Sequence, residues 1–388
     1  MSVLRSRPVL RWLVPATAAV AVIGGGAAIG TFAAEAEPSL PPRTAAQLLV
    51  DLQTSRLEGV SGTVVQRADL GLPSLVGLIP GNDLTSMLTG THTLRVWYSG
   101  PERQRVALLD TLGEQDVIRN GRDLWTWESR TNTARHRTLG DAETGRAASE
   151  ARPSLPATPQ QAADLALAAI DPSTQVSVGR SATVAGQDAY ELVLQPRDEG
   201  SLVHQLRIAI DAKQHVPLRF EVLAKGSDQP AFEMAFTQID YRRPEADQFT
   251  FNPPPGVTVT EEKAERPAGG RPGHVEPAGD PQVRAVGTGW TTVLVARLDE
   301  AVGGKPAVGG KPAVGGKPAV GGKPAVPPAG AAPDMDLSKL LGGLAAVKGD
   351  WGSGRLLTSK LFSVLLTDDG RVLAGAVTPE RLYQAARG

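Results

Sequence analysis

Apolar and polar residues alternate along much of this chain, and the alternation is cleanest between residues 94 and 138. Leu94, Val96 and Tyr98 fall on one phase of a period of two, the signature of a half-buried strand. Asn120-Gly121 is a tight-turn dipeptide between two such runs, and the second run places Trp125 and Trp127 on one face. A first strand is predicted through Val60, Thr63, Val64 and Val65, and later ones near 183–195, 203–211, 216–224 and 231–241. Helical spacing occurs in two places. One is Thr44 to Leu57, with Ala45, Leu48, Leu49 and Leu52 on a stripe. The other is Thr158 to Ile170, where Thr158 caps, Pro159 takes the first position and Ala162, Leu165, Ala166 and Ala169 share a face. The pattern predicts an α+β fold: a curved antiparallel sheet, a half-open β-barrel, wrapped around helices.

Two stretches break the alternation. Residues 68 to 90 are longer than a hairpin loop needs and are rich in apolar side chains, among them Leu75, Val76, Leu78, Ile79, Leu84 and Met87. They read either as short helices that complete the core or as a lid over a hydrophobic cavity, with Gly77, Pro80 and Gly81 as hinges. From Asn252 to Pro281 the composition turns to Pro, Gly and charge, which marks a linker, bounded here as 259–281. Residues 282–388 then read as a smaller α+β domain. It has a strand over 286–298, a hairpin over 360–377 turning at Asp368-Asp369-Gly370, and a closing helix that starts at Thr378-Pro379-Glu380. A low-complexity insertion, 300–349, interrupts it with GGKPAV repeated four times over 303–326. Gly-Gly and Pro in every copy deny that repeat a β-helix.

Composition narrows the function. A formal net charge of -1 argues against nucleic acid as a partner, and the absence of cysteine excludes disulfides, thiolate metal sites and lipobox anchoring. Arg5, Arg7 and Arg11 precede an uncharged run from 12 to 34, with Ala34-Glu35-Ala36 as a small-x-small site. Residues 1–36 therefore read as a signal peptide or an uncleaved signal anchor, and the body as exported, either secreted or membrane-anchored. His92, His136, His204, His215 and His274 show no ligand spacing. No nucleophile elbow, P-loop or dinucleotide fingerprint is present, so neither catalytic residues, a cofactor nor a metal is expected. Arg103, Arg105, Arg119, Arg122, Arg135 and Arg137 read as the charged cover of the sheet or as a ring at a cavity mouth.

The series LRVWYSGPERQRV, NGRDLWTW, YELVLQP (190–196), LRIAID (206–211), VPLRFEV (216–222) and FTFNPPPG (249–256) resembles the periplasmic lipoprotein-carrier superfamily. That superfamily includes LolA, LolB and the amino-terminal domain of the sigma-factor regulator RseB (MucB). The resemblance covers most of residues 43 to 258 and places a domain at 37–258, and the hairpin DGRVLAGAV with the helix start TPERL is similar to RseB's second domain. It implies a non-enzymatic carrier for a lipid or lipoprotein acyl chain. The alternative it implies is an envelope-stress regulator that binds a membrane anti-sigma factor. The expected hydrophobic-ligand cavity comprises Leu75, Val76, Leu78, Ile79, Leu84, Met87, Leu94, Val96, Trp125, Trp127, Phe220, Phe232 and Phe236.

Overall fold

The computed structural model describes residues 38–55, 57–72, 89–110, 113–140, 158–168, 170–262, 283–297 and 343–388. The predicted leader, the apolar insertion from residue 73 to 88 and the GGKPAV repeats lie outside the described residues.

Helix α1 (Ala45–Thr54) starts at a capping box in which the Thr44 hydroxyl accepts from the Gln47 backbone and the Gln47 side chain accepts from the Thr44 backbone. Leu48 and Leu52 carry its buried stripe, and it stops three residues before the predicted Leu57. Helix α2 (Pro159–Ala168) begins as predicted, with Thr158 Oγ1 accepting from Gln161 N at 3.2 Å. Of the face predicted for it, Ala162, Leu165, Ala166 and Ala169 lie outside the described side chains, while Ala163 is fully buried.

The strands β1 (Val60–Asp69), β2 (Thr89–Tyr98), β3 (Arg103–Asp110), β4 (Gly113–Asn120), β5 (Asp123–Glu128) and β6 (Thr133–Thr138) form one antiparallel meander. After α2 come β7 (Thr174–Val178), β8 (Ala182–Val184), β9 (Gln187–Pro196), β10 (Val203–Asp211), β11 (Pro217–Ala224) and β12 (Pro230–Asp240). Strand β12 returns to pair with β1 and joins the two series into one sheet, ordered β6-β5-β4-β3-β2-β1-β12-β11-β10-β9-β7, with β8 on β9. A register shift between Thr63 and Val64 at this seam adds local bend and twist. The β4–β5 loop is Gly121-Arg122, one residue on from the predicted dipeptide, because Asn120 still pairs with Asp123. Positive φ (62°) falls on Gly121.

The sheet is curved but not closed, and it differs from the expectation in two ways. First, β13 (Thr258–Glu262) extends it parallel to β6, so the sheet is mixed, and the predicted linker begins inside a strand. Second, the described fold is mostly β rather than α+β, with helices as short plugs. The outer face over β1 and β9–β12 is closed by ion pairs, across strands from Arg67 to Glu233 at 3.1 Å and from Arg219 to Glu191 at 3.5 Å, and along β11 from Arg219 to Glu221 at 3.3 Å. Apolar residues of these strands are left to the inner face.

A second, antiparallel sheet comprises β14 (Arg284–Val286), β15 (Val293–Arg297), β16 (Ala345–Gly349), β17 (Gly352–Thr358), β18 (Ser363–Thr367) and β19 (Arg371–Gly375), in the order β14-β15-β19-β18-β17-β16. The β18–β19 hairpin turns at 368–370 as predicted, and β16 occupies the end of the predicted insertion 300–349. Helix α3 (Pro379–Ala386) packs Leu382, Ala385 and Ala386 onto Val293, Leu365 and Leu373. Its start relies on Pro379 in the first turn, since the Thr378 side chain makes no capping bond. The two sheets share a core. Trp290, Leu361, Phe362 and Ala376 join the apolar cluster of the first sheet, Lys360 N donates to Leu70 O at 2.7 Å, and Leu202 N donates to Ala376 O at 2.8 Å.

Candidate functional site: the inner face of the first sheet

The register assigns side chains to faces, because directly paired residues project to the same side. Leu94 pairs with Val64 and Leu108, and Val96 with Gly62 and Val106, while Phe236 lies opposite Val64, Phe232 opposite Ala68 and Phe220 opposite Met234. All sit on the inner face under α1 and α2. Of the predicted cavity residues, Leu94, Val96, Phe220, Phe232 and Phe236 are brought together here, each at most 4% exposed, with the Phe220 and Phe232 rings 6.2 Å apart. Gly62 is required at its position, since a Cβ there would lie 2.9 Å from the Phe236 ring. Leu75, Val76, Leu78, Ile79, Leu84 and Met87 lie outside the described residues.

A cavity of about 480 Å³ opens between the helices and the inner face of β1–β3. Its apolar wall is Leu52, Leu57, Val60, Val96, Val106 and Phe236, Tyr98, Gln104 and Gln161 supply polar edges, and Arg105 and Asp164 bring charge to its rim. This size and lining, apolar with a few polar groups, is that of a small-ligand pocket.

Two polar side chains interrupt the apolar face farther along the same strands. Gln66 and His92 pair directly across β1 and β2 and are 3% and 4% exposed. Gln66 Nε2 and both ring nitrogens of His92 are without hydrogen-bond partners among the described residues. Burial, opposed by the charge of Asp110, brings the His92 pKa down to about 4, so the imidazole is neutral at pH 7. His92 shows no ligand spacing in the sequence, and Gln66 belongs to no motif. The signal was there: each stands on the phase of the alternation that otherwise carries Val64, Ala68 and Leu94.

Trp125 and Trp127 do not join this cavity. Trp125 pairs with Ile118 and Trp127 with Asp116, and those residues pair in turn with Arg105 and Ala107, on the outer face. The chain leaving β12 crosses that face. Phe249, 1% exposed, is buried there, and Phe251 lies 5.1 Å from Trp125 and 6.0 Å from Trp127. The tryptophans therefore anchor this crossing segment, and the expectation that they line the inner cavity is corrected. Beneath them Asp116, 1% exposed, accepts from Arg105 at 2.6 Å, and the Arg105 guanidinium lies 5.0 Å from the Trp97 ring. His136 stacks on Trp125 at 4.2 Å, with Nδ1 2.8 Å from Glu261 and Nε2 3.0 Å from Asp123. Other arginines of the predicted set hold loops: Arg119 donates to Gly121 O and Arg122 to Leu139 O.

Among the described residues no group of three or more His, Cys, Asp or Glu side chains is placed to hold a metal ion, and no helix is long and apolar enough to cross a membrane. No curated protein matches the chain. Among solved structures the complex of Pseudomonas aeruginosa MucA/MucB is similar, with 17% identity over 88% of this chain and 96% of that one and a TM-score of 0.39. An uncharacterized conserved protein from Thermus thermophilus has 12% identity over 56% of this chain and 99% of that one, at a TM-score of 0.32. A LolA superfamily protein from Nitrosomonas europaea has 15% identity over 54% and 99%, at a TM-score of 0.21. Residues 87–255 match the family model of the MucB/RseB N-terminal domain. Residues 87–255 are thus similar to the MucB/RseB N-terminal domain, and a second, smaller sheet follows the matched segment.

Proposed function

We propose that this is an exported, non-enzymatic binding protein that holds the acyl chain of a lipid or lipoprotein against the inner face of its first sheet. The observation that carries the reading is the 480 Å³ cavity, walled by Val96, Val106 and Phe236 and continuous with the apolar row through Leu94 and Val64. Burial of apolar surface, at about 25 cal/mol per Å², supplies most of the binding energy. The test is titration of a pyrene-labelled fatty acid into the protein and into Val106→Trp, which fills the cavity. Affinity falls at least about tenfold, a loss of ~1.4 kcal/mol, with the melting temperature little changed. Equal binding by both proteins overturns the reading.

A second reading, regulation through a membrane anti-sigma factor, is favoured by the second sheet docked on the first and by the MucB/RseB match. In that reading acyl binding is the signal and the second sheet presents the partner-binding surface. The two readings separate by pull-down with the full chain, where recovery of a specific membrane partner supports regulation.

A further inference from the structure

Among the described residues the Gln66–His92 pair is left without hydrogen-bond partners at Gln66 Nε2 and at both imidazole nitrogens. A buried donor or acceptor without a partner forfeits roughly 1–3 kcal/mol, and such groups in native folds call for an explanation. Val64, Ala68, Leu94, Phe232 and Met234 surround the pair in register and offer it nothing polar, while Asp110 on β3 reaches His92 by its charge and not by a hydrogen bond. At about 3.3 Å per residue, His92 lies some 13 Å along β2 from Val96 in the cavity wall. The pair is thus set deep on the same apolar face that the cavity opens onto.

We propose that Gln66 and His92 form the polar subsite for a neutral acyl carbonyl, of an ester or amide, whose hydrocarbon chain lies along Leu94 and Val96 toward the cavity. The inference rests on the acyl-binding reading and specifies the chemical class of the bound group. The Gln66 amide offers donors at Nε2, and a neutral imidazole offers one donor and one acceptor. A carbonyl oxygen accepts from either donor and brings no net charge into an apolar surrounding, where a free carboxylate or phosphate would carry a heavy desolvation cost. The shared group occurs in glycerolipid esters and in the acyl ester or amide of a lipoprotein.

The test uses the full chain and two probes of equal length, the methyl ester of a pyrene-labelled fatty acid and a pyrene-labelled alkane. Gln66→Leu with His92→Leu weakens ester binding about tenfold and changes alkane binding less than about twofold, while the melting temperature rises because two unpaired polar groups are gone. His92→Gln, which keeps a donor, retains ester binding to within about threefold. Unchanged ester binding in the double variant, or a fall in melting temperature with both probes affected alike, overturns the subsite and leaves acyl binding standing. Failure of both probes to bind the parent overturns the acyl-binding reading itself. If the double variant does not fold, the imidazole nitrogen resonances of His92 in the parent decide: they shift on adding ester but not alkane, and no shift overturns the proposal. Competition by a monoacylglycerol against a palmitoylated peptide amide identifies the source of the carbonyl, and displacement by neither counts against the subsite.

Discussion

Trp290 Nε1 donates to Thr174 Oγ1 at 2.8 Å, and both residues are buried, at 8% and 5% exposure. The bond ties the connection between β14 and β15 of the second sheet to the first residue of β7, at the edge of the first sheet. Trp290 also belongs to the apolar core of that sheet, so the docking is a packed interface. Trp290→Phe keeps most of the packing and leaves the Thr174 hydroxyl unpaired, which lowers stability by about 1–2 kcal/mol in urea denaturation. Trp290→Ala costs about 3–5 kcal/mol. If neither variant moves the unfolding midpoint, the two sheets do not share a core.

His136 clamps β13 to the sheet. Burial alone lowers its pKa, but hydrogen bonds to Asp123 and Glu261 and their charges together outweigh that and raise it above 6.5. A raised folded-state pKa contributes stability that is complete below the unfolded value and lost as pH rises through the folded value. A proton NMR titration of the imidazole gives a midpoint above 6.5, and Glu261→Gln brings it down. A midpoint at or below that value contradicts the clamp.

The Arg105–Asp116 pair under the tryptophans is buried on the carboxylate side. Burial raises the Asp116 pKa although Arg105 opposes it, so the pair is held by geometry more than by net electrostatic gain. Arg105→Leu strands the carboxylate and costs about 3 kcal/mol, and the added change Asp116→Leu recovers much of that loss. Thermal denaturation of the two variants checks this. A double variant no more stable than the single one contradicts it.

Period-two alternation located the strands and the phase of each face, and turn and cap chemistry at Gly121, Gly370 and Pro379 located several of their joins. Alternation does not say which face meets the helices. Trp125 and Trp127 carry no local mark of the outer face, and the crossing segment with Phe249 and Phe251 gives that face a core of its own. That depends on the path of residues 241–257 after β12, a long-range choice that a local pattern does not record. Strand β13 leaves no local signal for a related reason. Thr258–Glu262 is exposed throughout and has no hydrophobic period, so its strand character comes from pairing with β6. Gln66 and His92, by contrast, were legible as polar residues on an apolar phase.

Native mass spectrometry of the full chain, purified from the envelope of its own cells under conditions that preserve bound lipid, tests the central claim most directly. The account predicts a protein mass accompanied by one acylated molecule, released on activation and absent from Val106→Trp. A bare protein mass in repeated preparations, or the same adduct on the cavity-filled variant, contradicts it.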